Sequence, residues 1–202
     1  MDRQPLRGQL ILAILLVWAA SYILGMGLTV TAAYILLAIV AAPALVELGV
    51  PVLAAHMVIL WFSQDSSFTP PFAIGALIAA GLAQADPMRT AWEATWQGKV
   101  FYIMPILFVW TPLLGLDGFT FQFAATFIAA LLGMLVLAVL SQGYLEHRLR
   151  WWEYCALASA LFLLLWPNVI YSLIGATLVG AFYALHKMTP RTSVPVTDRA
   201  AS

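Results

Sequence analysis

The chain has 202 residues, 63% of them hydrophobic and only 9% charged, with nine basic side chains against nine acidic ones. A soluble domain carries about a quarter charged residues, so water is not the solvent for most of this surface and the lipid bilayer is. Zero net charge with scattered basic residues excludes a nucleic-acid surface, and the lone Cys155, which reads as a small buried hydrophobe, excludes an internal disulfide and a cysteine metal site.

Arg3 and Arg7 precede an apolar run that begins at Leu10, as in a signal peptide, but no small-residue cleavage site ends the run and equally apolar segments follow. It is expected to stay in the membrane. The runs 10–24 and 32–48 flank a Gly/Thr tip at 25–31, which predicts a re-entrant hairpin of two short helices over 10–48. Gly49-Val50-Pro51 then breaks the chain. Helix is expected over 52–62 and again over 72–83, with Pro70-Pro71 deleting two backbone donors between them, so 52–84 reads as one helix interrupted at membrane depth. Residues 87–99 set Arg89, Glu93 and Gln97 among Met88, Trp92 and Trp96, the spacing of an amphipathic helix at the interface.

Segments 100–116 and 121–140 have the length of spans, joined by a turn at Asp117-Gly118. An exposed loop at 142–153 carries Glu146, His147, Arg148 and Arg150 beside Trp151 and Trp152, an aromatic girdle. Further spans are expected over 154–166 and 169–185, hinged at Pro167-Asn168, followed by a polar, disordered tail over 188–202 with Pro190 and Pro195. The expected fold is therefore all-α and polytopic: a re-entrant helical hairpin, an interrupted helix, an interfacial helix and about four further transmembrane helices. Arg89, Lys99, Arg148, Arg150, Lys187, Arg191 and Arg199, seven of the nine basic residues, fall on one side of this path, which the positive-inside rule makes cytoplasmic.

Chemistry is expected where the helices break. An unpaired backbone group in lipid costs several kcal/mol, so a break at membrane depth survives only against protein or a water-filled cavity. Paired breaks are how secondary transporters expose carbonyls to a cation and helix N-termini to an anion. Here Gly25, Met26, Gly27, Thr29 and Thr31 form one candidate site segment, and Asp65, Ser66, Ser67, Thr69 and Pro70 the other. The hydroxyls suit a hard cation, glycine allows close approach, and an intramembrane carboxylate such as Asp65 completes a cation site or carries a proton. Local backbone bonding of the same Ser, Thr and Asp side chains is the structural alternative. His56 reads as a packed, hydrogen-bonded residue. His147 and His186 lie in charged loops with no assigned role, and no catalytic cluster or phosphate loop appears.

Residues 24–35 (LGMGLTVTAAYI), 42–50 (APALVELGV), 62–71 (FSQDSSFTPP) and 79–92 (AAGLAQADPMRTAW) resemble the end of the large membrane subunit of TRAP (tripartite ATP-independent periplasmic) transporters, above all the fused permeases. The resemblance runs over about residues 10–116, and 117–187 looks like the C-terminal extension of the fused type. It implies an elevator-type importer of organic acids, often carboxylates, driven by a coupling ion, sodium or proton, with no cofactor and no enzyme activity. A periplasmic substrate-binding protein, of TAXI type in the fused branch, is the implied partner, and a bacterial or archaeal inner membrane the implied location. By the same resemblance Gly25 to Thr31 occupy the second hairpin tip, and Ser66, Ser67, Thr69 and Pro70 the facing break. Two departures stand out. Relatives read Gly-Leu-Pro-Thr-Thr at the tip, where Thr29-Val30-Thr31 replaces Pro-Thr-Thr here. The family's core has two inverted repeats, of which this sequence matches the second, so the first-repeat part is an expected partner; a non-transporting structural or regulatory subunit, or a truncated product, is the alternative.

Overall fold

Helix starts and stops follow proline, glycine and short capping side chains throughout. In the computed structural model, which describes residues 7–116, 118–145 and 148–188, α1 runs over Arg7–Gly25, α2 over Val30–Val40, α3 over Ala42–Glu47 and α4 over Val52–Ser63. A 3-10 turn at Asp65–Ser67 leads to α5 (Ile74–Ala83), α6 (Pro87–Gln97) and α7 (Val100–Trp110). After a second 3-10 turn, Pro112–Leu114, come α8 (Phe121–Gln142), α9 (Trp151–Leu165) and α10 (Val169–Met188). One compact unit ends at Ile128 and a second begins at Ala129.

In the first unit, Thr29 caps α2 by accepting from the Ala32 amide at 3.3 Å, and Pro43 in the first turn of α3 separates it from α2. α4 is the most enclosed helix: Ala54, Ala55, Val58 and Ile59 are wholly buried, and the two alanines let its neighbours come close. By contrast Leu16, Ile39 and Leu82 point outward, as side chains do where the surroundings are hydrocarbon. Asp86 caps α6 through the Arg89 amide at 2.7 Å, and α6 carries Trp92 and Trp96 outward while Ala91 packs on Ala73 and Ala76. Lys99 lies 3.0 Å from the Trp96 ring centroid, a cation–π contact.

Several boundaries differ from the sequence expectation, and the second hairpin arm, expected as one helix over 32–48, is divided into α2 and α3. The first hairpin arm is longer than 10–24: α1 takes in Gly8 and Gln9 and reaches 19 residues, about 28 Å, so α1 and the 22-residue α8 are both long and apolar enough to cross a membrane. The segment 100–116 is not one helix. Thr111 turns extended ahead of Pro112, leaving α7 with 11 residues, about 16 Å and half a bilayer core. α9 starts earlier than expected, at Trp151, and α10 ends later, at Met188, so His186 belongs to the last turn of α10 rather than to a charged loop. The Glu153 carboxylate at the third position of α9 accepts from the Arg150 amide at 2.5 Å, fixing the helix start, and its other oxygen meets His186 Nδ1 at 3.0 Å in a buried contact. Cys155 faces outward on α9, not inward, because the buried stripe of that helix runs through Glu153, Leu157, Ala160 and Leu164. His147 and the tail from 189 lie outside the described residues.

In the second unit, Ala129, Val136, Leu157, Leu164 and Phe182 form the core. Gly175 sits where α9 and α10 touch: a Cβ there would stand 2.9 Å from both Leu164 Cγ and the Leu164 backbone nitrogen, whereas Gly180 faces open space. Gly175→Ala is expected to destabilise the hairpin by roughly 1–3 kcal/mol, since a backbone atom cannot swing aside, and Gly180→Ala is not. Thermal unfolding of the two variants in detergent checks this, with equal midpoints counting against the close packing.

Candidate functional site

The break after α4 is organised around one carboxylate. α4 stops with the Ser63 hydroxyl donating back to the Ile59 carbonyl at 2.8 Å, and Asp65 opens the 3-10 turn with its own carbonyl accepting from the Phe68 and Thr69 amides at 3.2 and 3.0 Å. Its side chain is 1% exposed. Burying an ionisable group without partners is costly, and three donors answer that cost. Trp18 Nε1 donates to Oδ2 at 3.0 Å, Tyr102 OH to Oδ1 at 2.8 Å, and the Thr69 hydroxyl also to Oδ1. All three are neutral, and among the described residues no Lys, Arg or His pairs with Asp65. A carboxylate has about four lone-pair positions, so three donors leave one acceptor position unused, on Oδ2.

The side chains packed around Asp65 come from α1 and α7. Trp18 and Tyr22 stack at 6.4 Å, Tyr102 meets Trp18 edge-on at 6.3 Å, and the Tyr22 hydroxyl donates to the Pro70 carbonyl. Pro70-Pro71 is a cis peptide bond. One turn further along α1, Gly25 lies against Ser66: a Cβ at Gly25 would stand 2.7 Å from Ser66 Cβ. Ser21 lies between these contacts, and its hydroxyl is buried without a hydrogen-bond partner, as is the indole N–H of Trp61.

The ten residues picked out from the sequence therefore separate. Gly25, Asp65, Ser66, Thr69 and Pro70 come together where α1 meets the break. Met26 is half-buried. Gly27, Thr29 and Thr31 lie on the exposed side of the tip, where Thr29 serves as the cap of α2. Ser67 is half-buried, and its carbonyl would stand 3.1 Å from a Cβ on Gly75. The sequence reading missed Trp18, Tyr22 and Tyr102. The first two had a findable signal, since Trp18, Ser21, Tyr22 and Gly25 share a helical face at spacings of three and four; Tyr102, on a separate helix, had none. His56 bonds the Tyr34 hydroxyl through Nδ1 at 3.2 Å and ties α4 to α2, as a packed histidine should.

Comparison with known proteins fits this architecture. The family model described as "Tripartite ATP-independent periplasmic transporter, DctM component" matches residues 4–123, and one described as a domain of unknown function (DUF3394) matches residues 123–180. No curated protein and no solved structure matches the chain. The first match covers more than half of the 202 residues and takes in both the α1 face and the break around Asp65, so the chain belongs to the TRAP transporter family as its large membrane component, a permease.

Proposed function

We propose that this chain supplies the second-repeat part of an ion-coupled permease that imports an organic acid, in particular a carboxylate, and that the junction of α1 with the break at Asp65 is where the coupling cation and part of the substrate are held. The observation that carries the reading is Asp65 itself: a buried carboxylate at a helix break, held by neutral donors alone, with acceptor capacity left over. Structural carboxylates inside a membrane are rare, and those retained mark ion or proton paths. The hydroxyls of Ser66 and Ser21 and the carbonyls freed by Pro70 and Pro71 supply oxygens of the kind a hard cation or a proton relay uses. Within this reading α1 to α3 form the re-entrant hairpin and α6 lies at the interface. The chain works in the inner membrane with a periplasmic substrate-binding protein, of TAXI type, and with a first-repeat counterpart.

Proteoliposomes containing the complete transporter, supplied with its binding protein and a panel of radiolabelled carboxylates, test this under an imposed sodium or proton gradient. Accumulation that needs the binding protein and one of the two gradients is the expected result. Accumulation indifferent to both gradients overturns ion coupling. Failure with every carboxylate, in an assembly that inserts and stays intact, favours a non-transporting structural subunit.

A further inference from the structure

The second unit, matched as far as residue 180 by a domain of unknown function, ends in an unusual distribution of charge. Glu153, on α9, turns inward: it is 2% exposed, accepts the Arg150 amide and meets His186 of α10. That contact pins the start of α9 to the end of α10. Arg150, just before α9, and Lys187, next to His186, are thereby brought to the same end of the helical hairpin, and both side chains are exposed. Arg148 joins them from the preceding turn, which is closed by the Leu149 amide on the Gly143 carbonyl at 3.0 Å and by the Tyr144–Arg148 bridge. Arg148 is exposed as well. Trp151, at 80% exposure, and Trp152 stand beside the cations, with Tyr144 and Tyr154 also exposed. Glu146, in the sequence of this turn, lies outside the described residues.

We propose that this end of the C-terminal unit is a binding surface for anionic phospholipid headgroups in the cytoplasmic leaflet. The fold withdraws the Glu153 charge and leaves the cations outward, which is complementary to a phosphate-rich, negatively charged interface. Guanidinium groups donate to phosphate oxygens in bidentate fashion, and the two indoles sit at headgroup depth, where an aromatic body and a polar N–H are both accommodated. The positive-inside rule places Arg148, Arg150 and Lys187 on the cytoplasmic side, where anionic lipid attracts basic residues close to the bilayer with a strength of about fivefold in affinity per residue. A neutral zwitterionic headgroup offers no net charge to match.

The full chain, stripped of endogenous lipid in neutral detergent and offered equal amounts of phosphatidylglycerol and phosphatidylcholine, is read by native mass spectrometry. Preferential retention of phosphatidylglycerol is expected, weakening as salt rises. The triple variant Arg148→Gln/Arg150→Gln/Lys187→Gln loses the preference, by ten-fold or more if the three act together. The control Arg89→Gln/Lys99→Gln, on α6 and the start of α7, keeps it. Arg150→Gln and Lys187→Gln singly, each with unchanged thermal unfolding in phosphatidylcholine, give intermediate loss. An unchanged preference in the triple variant overturns the proposal, as does equal loss in the control. Release of phosphatidylglycerol by millimolar inorganic phosphate also overturns it, since the surface would then be a site for free phosphate.

Discussion

Gly25→Ala is expected to cut uptake at least ten-fold in the complete transporter, while Gly27→Ala, two residues away in the same tip, leaves uptake unchanged. The contrast comes from what each new methyl would meet. At Gly25 the Cβ would lie 2.7 Å from Ser66 Cβ, closer than real Cβ atoms come, and at Gly27 it would meet nothing within 4 Å. Ser66 is buried in a tight 3-10 turn, so it cannot retreat without moving Asp65 beside it. α1 has to lift away instead. Lifting α1 lengthens the Trp18 bond to Asp65 and the Tyr22 bond to Pro70, the two links that hold this helix on the break. Overpacking of this kind costs roughly 1–3 kcal/mol, enough to lower stability in detergent without unfolding the chain. The measurement is uptake in proteoliposomes beside thermal unfolding of the same preparation. Equal uptake for both alanine variants would mean that the contact of α1 with Ser66 plays no part in transport.

Much of this architecture is legible in the sequence because proline and glycine announce it. Pro43, Pro51, Pro70-Pro71, Pro87 and Pro112 all fall at or beside helix ends, and the break at 64–73 follows directly from two adjacent missing donors. Composition is equally direct evidence for a lipid-facing surface. Side-chain partnerships across helices are another matter. Asp65 stands out in the sequence as a carboxylate in apolar surroundings, but its partners Trp18 and Tyr102 lie 47 and 37 residues away and look like any other aromatic residues of a membrane protein. His186 shows the same limit. Next to Lys187 and ahead of a polar tail it looks solvated, and only the return of α10 alongside α9 brings it to Glu153. Thr29 shows a competing use that its sequence context leaves open: its place in a Gly/Thr tip suits a cation ligand, and in the fold its hydroxyl oxygen accepts from the amide of its own helix.

Asp65 carries the second large expectation, and it needs a design that separates charge from structure. Asp65→Ala leaves the Trp18 indole N–H, the Tyr102 hydroxyl and the Thr69 hydroxyl without their acceptor, and a buried unsatisfied donor costs roughly 1–3 kcal/mol, so several kcal/mol of stability go with the side chain. Loss of uptake there says little about mechanism. Asp65→Asn is sharper: the carbonyl oxygen still accepts from Tyr102 and Thr69, while the amide nitrogen is set against the Trp18 N–H, one donor facing another. That clash is relieved by adding Trp18→Phe, which removes the indole donor while keeping an aromatic ring beside Tyr22 and Tyr102. Asp65→Asn alone is expected to lose both stability and uptake, and Trp18→Phe alone to keep most of its uptake. In the double variant, thermal stability recovers toward that of Trp18→Phe, but uptake stays at least a hundred-fold down, because no neutral amide replaces a carboxylate that binds a cation or carries a proton. Recovery of uptake along with stability would show that Asp65 serves only to anchor α1 and α7 to the break, and the cation would then have to be held by hydroxyl and carbonyl oxygens alone.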